Sequence, residues 1–143
     1  MMPKRQSTQN ERGFSLIELL IVMVILGLLA SLVAPRLIGK LGKAEQQTAK
    51  TQIEMLMTAL DAYRLDMGHY PTQQEGGLEA LVNNPGSDKW AGPYLKKGVP
   101  LDPWDRAYEY RHPGEHGEVD LYSYGADNQP GGNDENQDVT SWE

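Results

Sequence analysis

The 143-residue sequence contains no cysteine. A disulfide is therefore excluded as a covalent support for the fold. This exclusion matters because the 76 residues from Gly68 onward are too few to bury a large core by themselves. We expect this part of the chain to gain stability from packing against a helix, from a metal ion or from oligomerisation.

Patterns typical of catalysis are also missing. There is no cysteine nucleophile, no serine in a nucleophile elbow and no glycine-rich phosphate loop between a strand and a helix. His112 and His116 have zinc-ligand spacing, but Pro113 and Gly114 lie between them and no thiolate is available, which favours a solvent loop. The sequence therefore predicts that the chain is not an enzyme.

Basic residues are scarce in the C-terminal third. Residues 99–143 carry eleven acidic side chains against two arginines, and the formal net charge of the whole chain is −7. Such a surface repels phosphate backbones and attracts cations, so nucleic-acid binding is disfavoured.

One stretch lacks charge almost entirely. Residues 14–34 hold a single ionisable side chain, Glu18, and as a helix they reach roughly 30 Å, the thickness of a bilayer core. A carboxylate in such a span costs about 2.5–3.5 kcal/mol, so Glu18 needs a partner. The simplest alternative is a plain membrane anchor in which Glu18 lies near the lipid headgroups. The small residue Gly13 precedes the span, whereas a secretory signal has its cleavage site after it.

The motif Gly13-Phe14-Ser15-Leu16-Ile17-Glu18, behind a basic leader, resembles the class III signal of type IV pilins and type II secretion pseudopilins. The resemblance implies that a prepilin peptidase removes residues 1–13, cutting between Gly13 and Phe14, and that Phe14 is then N-methylated. It also implies that residues 14–35 form a transmembrane and polymerisation helix, in which Glu18 meets the amine of a neighbouring Phe14. Residues 36–143 would form the periplasmic domain, with the N-terminus cytoplasmic.

A second helical pattern follows the apolar stretch. Pro35 predicts a kink or a weak turn, after which apolar residues recur at three- and four-residue steps, with Gly68 as a C-terminal cap. These residues are Ile53, Leu56, Leu60, Tyr63 and Met67. Residues 77–82 predict a short helix, and residues 107–111 and 119–124 predict the strands of an antiparallel hairpin. We therefore predict an α+β fold of the type IV pilin-like kind, a long N-terminal helix packed on a small antiparallel sheet.

Further motifs resemble the major pseudopilins of the type II secretion system over nearly the whole mature chain. They are Tyr70-Pro71-Thr72, Gly77-Leu78-Glu79-Ala80-Leu81, Asp102-Pro103-Trp104, Gly125-Ala126-Asp127, Gly131-Gly132 and Trp142. Asp105 departs from the pattern, because that family usually has a glycine after Asp-Pro-Trp.

Residues 125–138, here called the acidic loop, concentrate oxygen ligands around Gly131 and Gly132. The spacing is not that of an EF-hand, and composition alone favours a solvated loop as much as a metal site. The pseudopilin resemblance implies one bound calcium ion. The side chains it implicates are Asp127, Asp134 and Asn136, with backbone carbonyls of Tyr124 and Gln137, and less strongly Glu135 and Asp138.

The resemblance implies a major structural subunit that polymerises in a periplasmic pseudopilus and drives export of folded proteins across the outer membrane. Its partners would be further copies, minor pseudopilins, inner-membrane secretion platform proteins and the prepilin peptidase and methyltransferase. The alternative is a type IV pilin used for adhesion, motility or DNA uptake, although the lack of cysteine and the acidic loop disfavour it. An alternative of another class is a membrane-anchored calcium-binding domain that never polymerises.

Overall fold

The computed structural model describes residues 2–4 and 13–143, whose contacts divide into two compact units, Met1–Ile38 and Gly39–Glu143. Helix α1, Leu16–Met67, contributes residues to both units. Most of the predicted leader lies outside the described residues, so its structure is not characterised.

Helix α1 begins where the sequence supplies a cap. The Ser15 hydroxyl oxygen accepts a hydrogen bond from the Glu18 N–H at 3.2 Å, which satisfies one of the amides that a helix start leaves unpaired. The spacing Ser-x-x-Glu is a recognised helix-start signal that our interpretation of the sequence overlooked. In the unit Met1–Ile38, every apolar side chain of α1 whose burial is described is exposed, as Leu26 (60%) illustrates. The helix is long and apolar enough to cross a membrane, by length and composition.

In the unit Gly39–Glu143, helix α1 is amphipathic, as the three- and four-residue spacing predicts. All five residues of the predicted apolar face are buried: Ile53, Leu56, Leu60, Tyr63 and Met67. Gly68 then ends the helix with a left-handed φ of 83°, its N–H donating to the carbonyl of Arg64 at 2.8 Å. This is the C-terminal cap that the sequence predicts.

The carboxylate of Glu75 makes several of the hydrogen bonds that hold the segment after the helix. It accepts hydrogen bonds from the Thr72 N–H (3.0 Å) and the Tyr63 hydroxyl (2.8 Å), and it pairs with the His69 ring (2.9 Å). Burial alone would raise the pKa of Glu75, but these donors outweigh it and lower the pKa to about 2. The Glu75 N–H also donates to the Thr72 hydroxyl, so the two residues bond reciprocally.

The predicted short helix is a 3-10 helix, Gly77–Leu81, which places Leu78, Ala80 and Leu81 in the core. It differs from an α-helix because two consecutive glycines at its start, Gly76 and Gly77, have positive φ. Other core residues come from the loops and strands that follow: Leu95, Tyr108, Val119, Leu121 and Val139.

The sheet has three antiparallel strands in the order β1 (Glu109–Arg111), β2 (Asp120–Ser123) and β3 (Val139–Thr140). Tyr110 pairs with Leu121, and Ser123 pairs with Val139. The predicted hairpin is therefore confirmed, with strands shorter than the sequence suggests. Strand β3 was not predicted, because two residues are too few to show an alternating pattern.

Candidate functional sites

The N-terminal motif lies just before helix α1. Gly13, Phe14 and Ser15 are not helical, and Phe14 is 80% exposed, so the peptide bond between Gly13 and Phe14 is outside the helix. Among the described residues, none donates a hydrogen bond or forms an ion pair with the Glu18 carboxylate. The geometry thus leaves the predicted cleavage position exposed outside the helix and Glu18 without a bonding partner among the described residues.

The acidic loop is folded tightly by glycines. Gly125 has a φ of 75°, and a Cβ there would lie 2.7 Å from the carbonyl oxygen of Gln137. Gly132 has a φ of 94°, and a Cβ there would lie 2.6 Å from the carbonyl oxygen of Asn136. Distances below 3 Å leave no room for a side chain. Two carbonyl oxygens in the second half of the loop therefore crowd against glycine positions.

The carboxylates of the acidic loop differ in what they contact. One oxygen of Asp127 accepts from the Gln129 N–H at 3.1 Å, and Oδ2 of Asp138 accepts from the Gly131 N–H at 2.9 Å. The other oxygen of Asp138, Oδ1, is buried and has no hydrogen-bond partner among the described residues. A buried carboxylate oxygen without a donor is costly, and a cation would satisfy it.

The remaining predicted ligands are arranged less simply. Asp134 has a left-handed φ of 54° and opens a short 3-10 helix, Asp134–Asn136. The side chain of Glu135 lies against helix α1, where a Cβ added to Gly42 would be 3.1 Å from it. Tyr124 packs its ring on Tyr122, with centroids 5.2 Å apart. Within residues 2–4 and 13–143, no three His, Asp or Glu side chains form a metal-holding group.

A buried aspartate positions the start of the acidic loop. Asp102, 4% exposed, accepts a hydrogen bond from the Ser123 hydroxyl at 2.7 Å, and that hydroxyl oxygen accepts from the Gly125 N–H at 3.3 Å. The other Asp102 oxygen accepts from the amides of Trp104 and Arg106, and the Arg106 guanidinium donates to the Gly125 carbonyl. Asp102 was quoted only as part of a family motif and was not predicted as a site residue, although an aspartate that opens an Asp-Pro-Trp turn favours such bonds to the backbone.

The far end of the acidic loop contacts helix α1. The side-chain amide of Gln46 donates to the carbonyls of Glu135 (3.1 Å) and Gln137 (2.9 Å). Beside it, the Trp104 indole N–H donates to the Glu45 carboxylate at 3.0 Å. Gln46 was not predicted as a site residue, because nothing in the sequence distinguishes it from its neighbour Gln47.

Comparison with known proteins gives two family matches, one to the N-terminal part of the chain and one to the rest. Residues 36–142 match the family described as type II secretion system (T2SS), protein G, and residues 8–34 match the prokaryotic N-terminal methylation motif. The chain therefore combines a methylation motif with a secretion-system domain.

Individual relatives agree with the family matches. Type II secretion system core protein G of Escherichia coli (strain K12) is 45% identical over 141 residues, which cover 96% of this chain and 94% of that protein. The protein of the same name from Pseudomonas aeruginosa is 44% identical over 140 residues, covering 94% and 97%. A crystal structure of the major pseudopilin from the type 2 secretion system of enterohaemorrhagic Escherichia coli superposes with a TM-score of 0.58 at 35% identity, covering 76% of this chain and 95% of that one.

The chain belongs to the type II secretion system protein G family. The predicted pilin-like α+β fold and the resemblance to major pseudopilins are both confirmed. The calcium ligands and the processing residues stay predictions.

Proposed function

We propose that the chain is the major structural subunit of the type II secretion pseudopilus, polymerising in the periplasm to drive folded proteins across the outer membrane. The observation that carries this proposal is the presence of a methylation motif and a protein G domain in one chain. The role is structural, and the chain is a substrate of the prepilin peptidase and methyltransferase rather than an enzyme.

The N-terminal geometry supports an order in which cleavage comes first and polymerisation follows. Cleavage between Gly13 and Phe14 creates an amine at Phe14, and the apolar part of helix α1 then needs either lipid or neighbouring copies around it. The new amine of one subunit is a cation that can meet Glu18 of the next subunit, where an isolated buried carboxylate would be costly. Assembly would thereby depend on processing.

The methylation motif and the apolar part of helix α1 support a membrane location before assembly. Before assembly it spans the inner membrane once, with a cytoplasmic N-terminus and a periplasmic C-terminal domain. Its partners are further copies of itself, minor pseudopilins, inner-membrane platform proteins and the processing enzyme.

We also propose that the acidic loop holds one calcium ion. Asp127, Asp134 and Asn136 are its proposed side-chain ligands, with carbonyls of Tyr124 and Gln137. The buried, unpartnered Oδ1 raises Asp138 from a secondary to a leading candidate. Calcium takes six to eight oxygens, among them amide and carbonyl oxygens, so a cluster of three carboxylates is not required. The ion would cross-link a loop that no disulfide can close.

Processing and assembly can be tested in cells with and without the prepilin peptidase. Mass spectrometry should find loss of residues 1–13 and a methylated Phe14 only when the enzyme is present. Glu18→Ala should insert in the membrane normally but lower the yield of cross-linked polymer at least about tenfold, consistent with loss of an ion pair in a low-dielectric environment. Glu54→Ala, which removes an exposed carboxylate from the amphipathic part of α1, is the control. An intact Met1, or normal polymer from Glu18→Ala, would contradict the proposal.

Calcium binding can be tested by calorimetry and by thermal unfolding of the full chain in detergent micelles. At 100 times the dissociation constant, calcium should add about 2.7 kcal/mol to the free energy of unfolding, and a chelator should remove it. Asp138→Asn should weaken calcium binding, whereas Asp88→Asn, at an exposed position outside the loop, should not. An unfolding temperature that a chelator leaves unchanged would refute the calcium site.

A further inference from the structure

Helix α1 enters the unit Gly39–Glu143 before its apolar face begins. The first buried apolar side chain of α1 is Ala49, and Ile53 is the next. The turn formed by residues 42–46 therefore lacks the hydrophobic packing that holds the rest of the helix in this unit. Its side-chain hydrogen bonds are made with the acidic loop and with Trp104.

Gln46 makes the closest of these contacts. Its single amide group spans two carbonyls of the acidic loop, those of Glu135 and Gln137, at 3.1 and 2.9 Å. An amide nitrogen has two protons, so both bonds are satisfied by one side chain. The bonds fix the direction of two carbonyls in the half of the loop where Asp138 leaves an oxygen unpartnered.

Gly42 shows how closely the loop approaches the helix. It is buried although it lies near the start of this unit, and a Cβ at this position would be 3.1 Å from both Cβ and Oε2 of Glu135. Gln46 lies one helical turn later, on the same face. Gly42 and Gln46 therefore form one contact surface for the loop.

We propose that Gln46 is a positioning residue that joins the acidic loop to helix α1, so that calcium binding and the order of residues 42–46 strengthen each other. Gln137 connects the two, because its carbonyl accepts from Gln46 and is also a proposed calcium ligand, and a carbonyl oxygen has two lone pairs. Partners that orient a metal ligand in this way raise its affinity. The inference rests on the proposed calcium site.

The coupling has a defined thermodynamic form. If ion binding raises the equilibrium constant for forming the contact between Gln46 and the loop, the formed contact must raise the association constant of the ion by the same factor. In sequence, residues 42–46 lie seven positions after the end of the predicted polymerisation helix, residues 14–35, and within the same helix α1. The ion would thus control how firmly residues 42–46 of helix α1 are held by the rest of the unit Gly39–Glu143.

The test compares Gln46→Ala with Gln47→Ala in the full chain in detergent micelles. Gln47 is the adjacent, exposed residue of the same type, and its side chain makes no hydrogen bond within the described residues. Alanine has the highest helix propensity, so neither substitution weakens the helix intrinsically. Any difference between the variants therefore reports the contact with the loop.

Two quantities are measured: hydrogen exchange at amides 42–48, in calcium and in chelator, and calcium affinity by calorimetry. Gln46→Ala should speed exchange in calcium about tenfold and weaken calcium binding by a similar factor, as the loss of two hydrogen bonds implies. Gln47→Ala should behave like the unsubstituted chain in both measurements.

The outcomes separate this inference from the calcium proposal. Unchanged exchange in Gln46→Ala would overturn the positioning role, and faster exchange with unchanged calcium affinity would overturn the coupling. If the unsubstituted chain binds no calcium, the calcium proposal and the coupling both fail. The exchange of Gln46→Ala in chelator would still decide whether Gln46 holds the helix turn.

Discussion

Two regions of helix α1 differ in whether their apolar side chains are exposed or buried. In residues 16–34 every side chain whose burial is described is exposed, and all but Glu18 and Ser31 are apolar. In residues 49–67 the apolar side chains at helical spacing, such as Leu56 and Leu60, are buried, and only the opposite face is exposed, as at Leu65. Among the described residues none buries the first region, as expected of a helix surrounded by lipid or by other copies. The second is covered by its own domain. A continuous apolar run and a periodic one therefore mark helices with different surroundings.

Two glutamates show the same contrast. Glu18 lies in the apolar region, and no described residue bonds its carboxylate, while Glu75 lies beside the covered region and accepts bonds from Thr72 and Tyr63. The Glu75 carboxylate accepts its hydrogen bonds within the chain. The Glu18 carboxylate has no such bond among the described residues and can accept one from a partner.

The largest expected effect separates the two regions directly. Leu60→Ala, at a fully buried position, should lower the free energy of unfolding by about 2–5 kcal/mol, because it leaves a cavity in the core. Leu26→Ala, at a side chain that is 60% exposed, should change it by no more than about 0.5 kcal/mol. Tryptophan fluorescence during denaturant unfolding measures both, since all three tryptophans follow helix α1. Equal costs would show that the two regions are not distinct.

A smaller effect concerns Glu75, whose carboxylate is hydrogen-bonded within the chain. Because the pKa of Glu75 is lowered from 4.5 to about 2 in the folded chain, its stabilising effect is present above pH 4.5 and is lost as the pH falls from 4.5 towards 2. Glu75→Gln should lower the free energy of unfolding by about 1–3 kcal/mol at pH 7 and flatten its decline in acid. Denaturant titrations between pH 2 and pH 7 measure this.

The matched variant for Glu75 is Glu79→Gln, at an exposed position in the nearby 3-10 helix. It should leave the free energy of unfolding at pH 7 nearly unchanged, because the Glu79 side chain is exposed. A Glu75→Gln variant that keeps the full acid decline would show that another group is responsible.

The smallest effect concerns the turn that contains Trp104, in which the Asp105 N–H donates to the Asp102 carbonyl at 3.0 Å. Asp105 has a left-handed φ of 62°, which costs a non-glycine residue about 1 kcal/mol or more. Asp105→Gly removes that strain but makes the unfolded chain more flexible, so a net gain of about 0.5 kcal/mol in the free energy of unfolding is expected. Asp88→Gly, where φ is not positive, should destabilise instead. Loss of stability in Asp105→Gly would mean that its side chain matters more than its backbone angle.

The sequence predicted those parts of the fold that follow from periodicity and glycine chemistry. The five buried residues of helix α1 and the cap at Gly68 follow from spacing and from φ preferences, both of which are local. Asp105 was noticed as a departure from a family pattern, and its left-handed backbone supplies the physical reason that glycine is usual there.

The parts that were missed depend on long-range contacts. Gln46 and strand β3 gain their roles from residues far away in sequence, so no local pattern distinguishes them. The Asp-Pro-Trp turn is a local signal for the bonds of Asp102 to the backbone, but its bond from Ser123 is long-range. In the acidic loop, composition identified the oxygen-rich segment but could not rank its carboxylates. The unpartnered oxygen of Asp138 became visible only once the loop was folded.

The contact between Gln46 and the acidic loop also constrains the order of folding. Its two hydrogen bonds join residues that are 89 and 91 positions apart in the chain. Contacts of such separation form late, because a long segment must be closed before they can bring any stabilisation. A growing chain can bond Glu45 to Trp104 earlier, but it cannot bond Gln46 to the acidic loop until residues 135–137 have been synthesised. Firm attachment of this turn is thus a property of subunits whose acidic loop is already made.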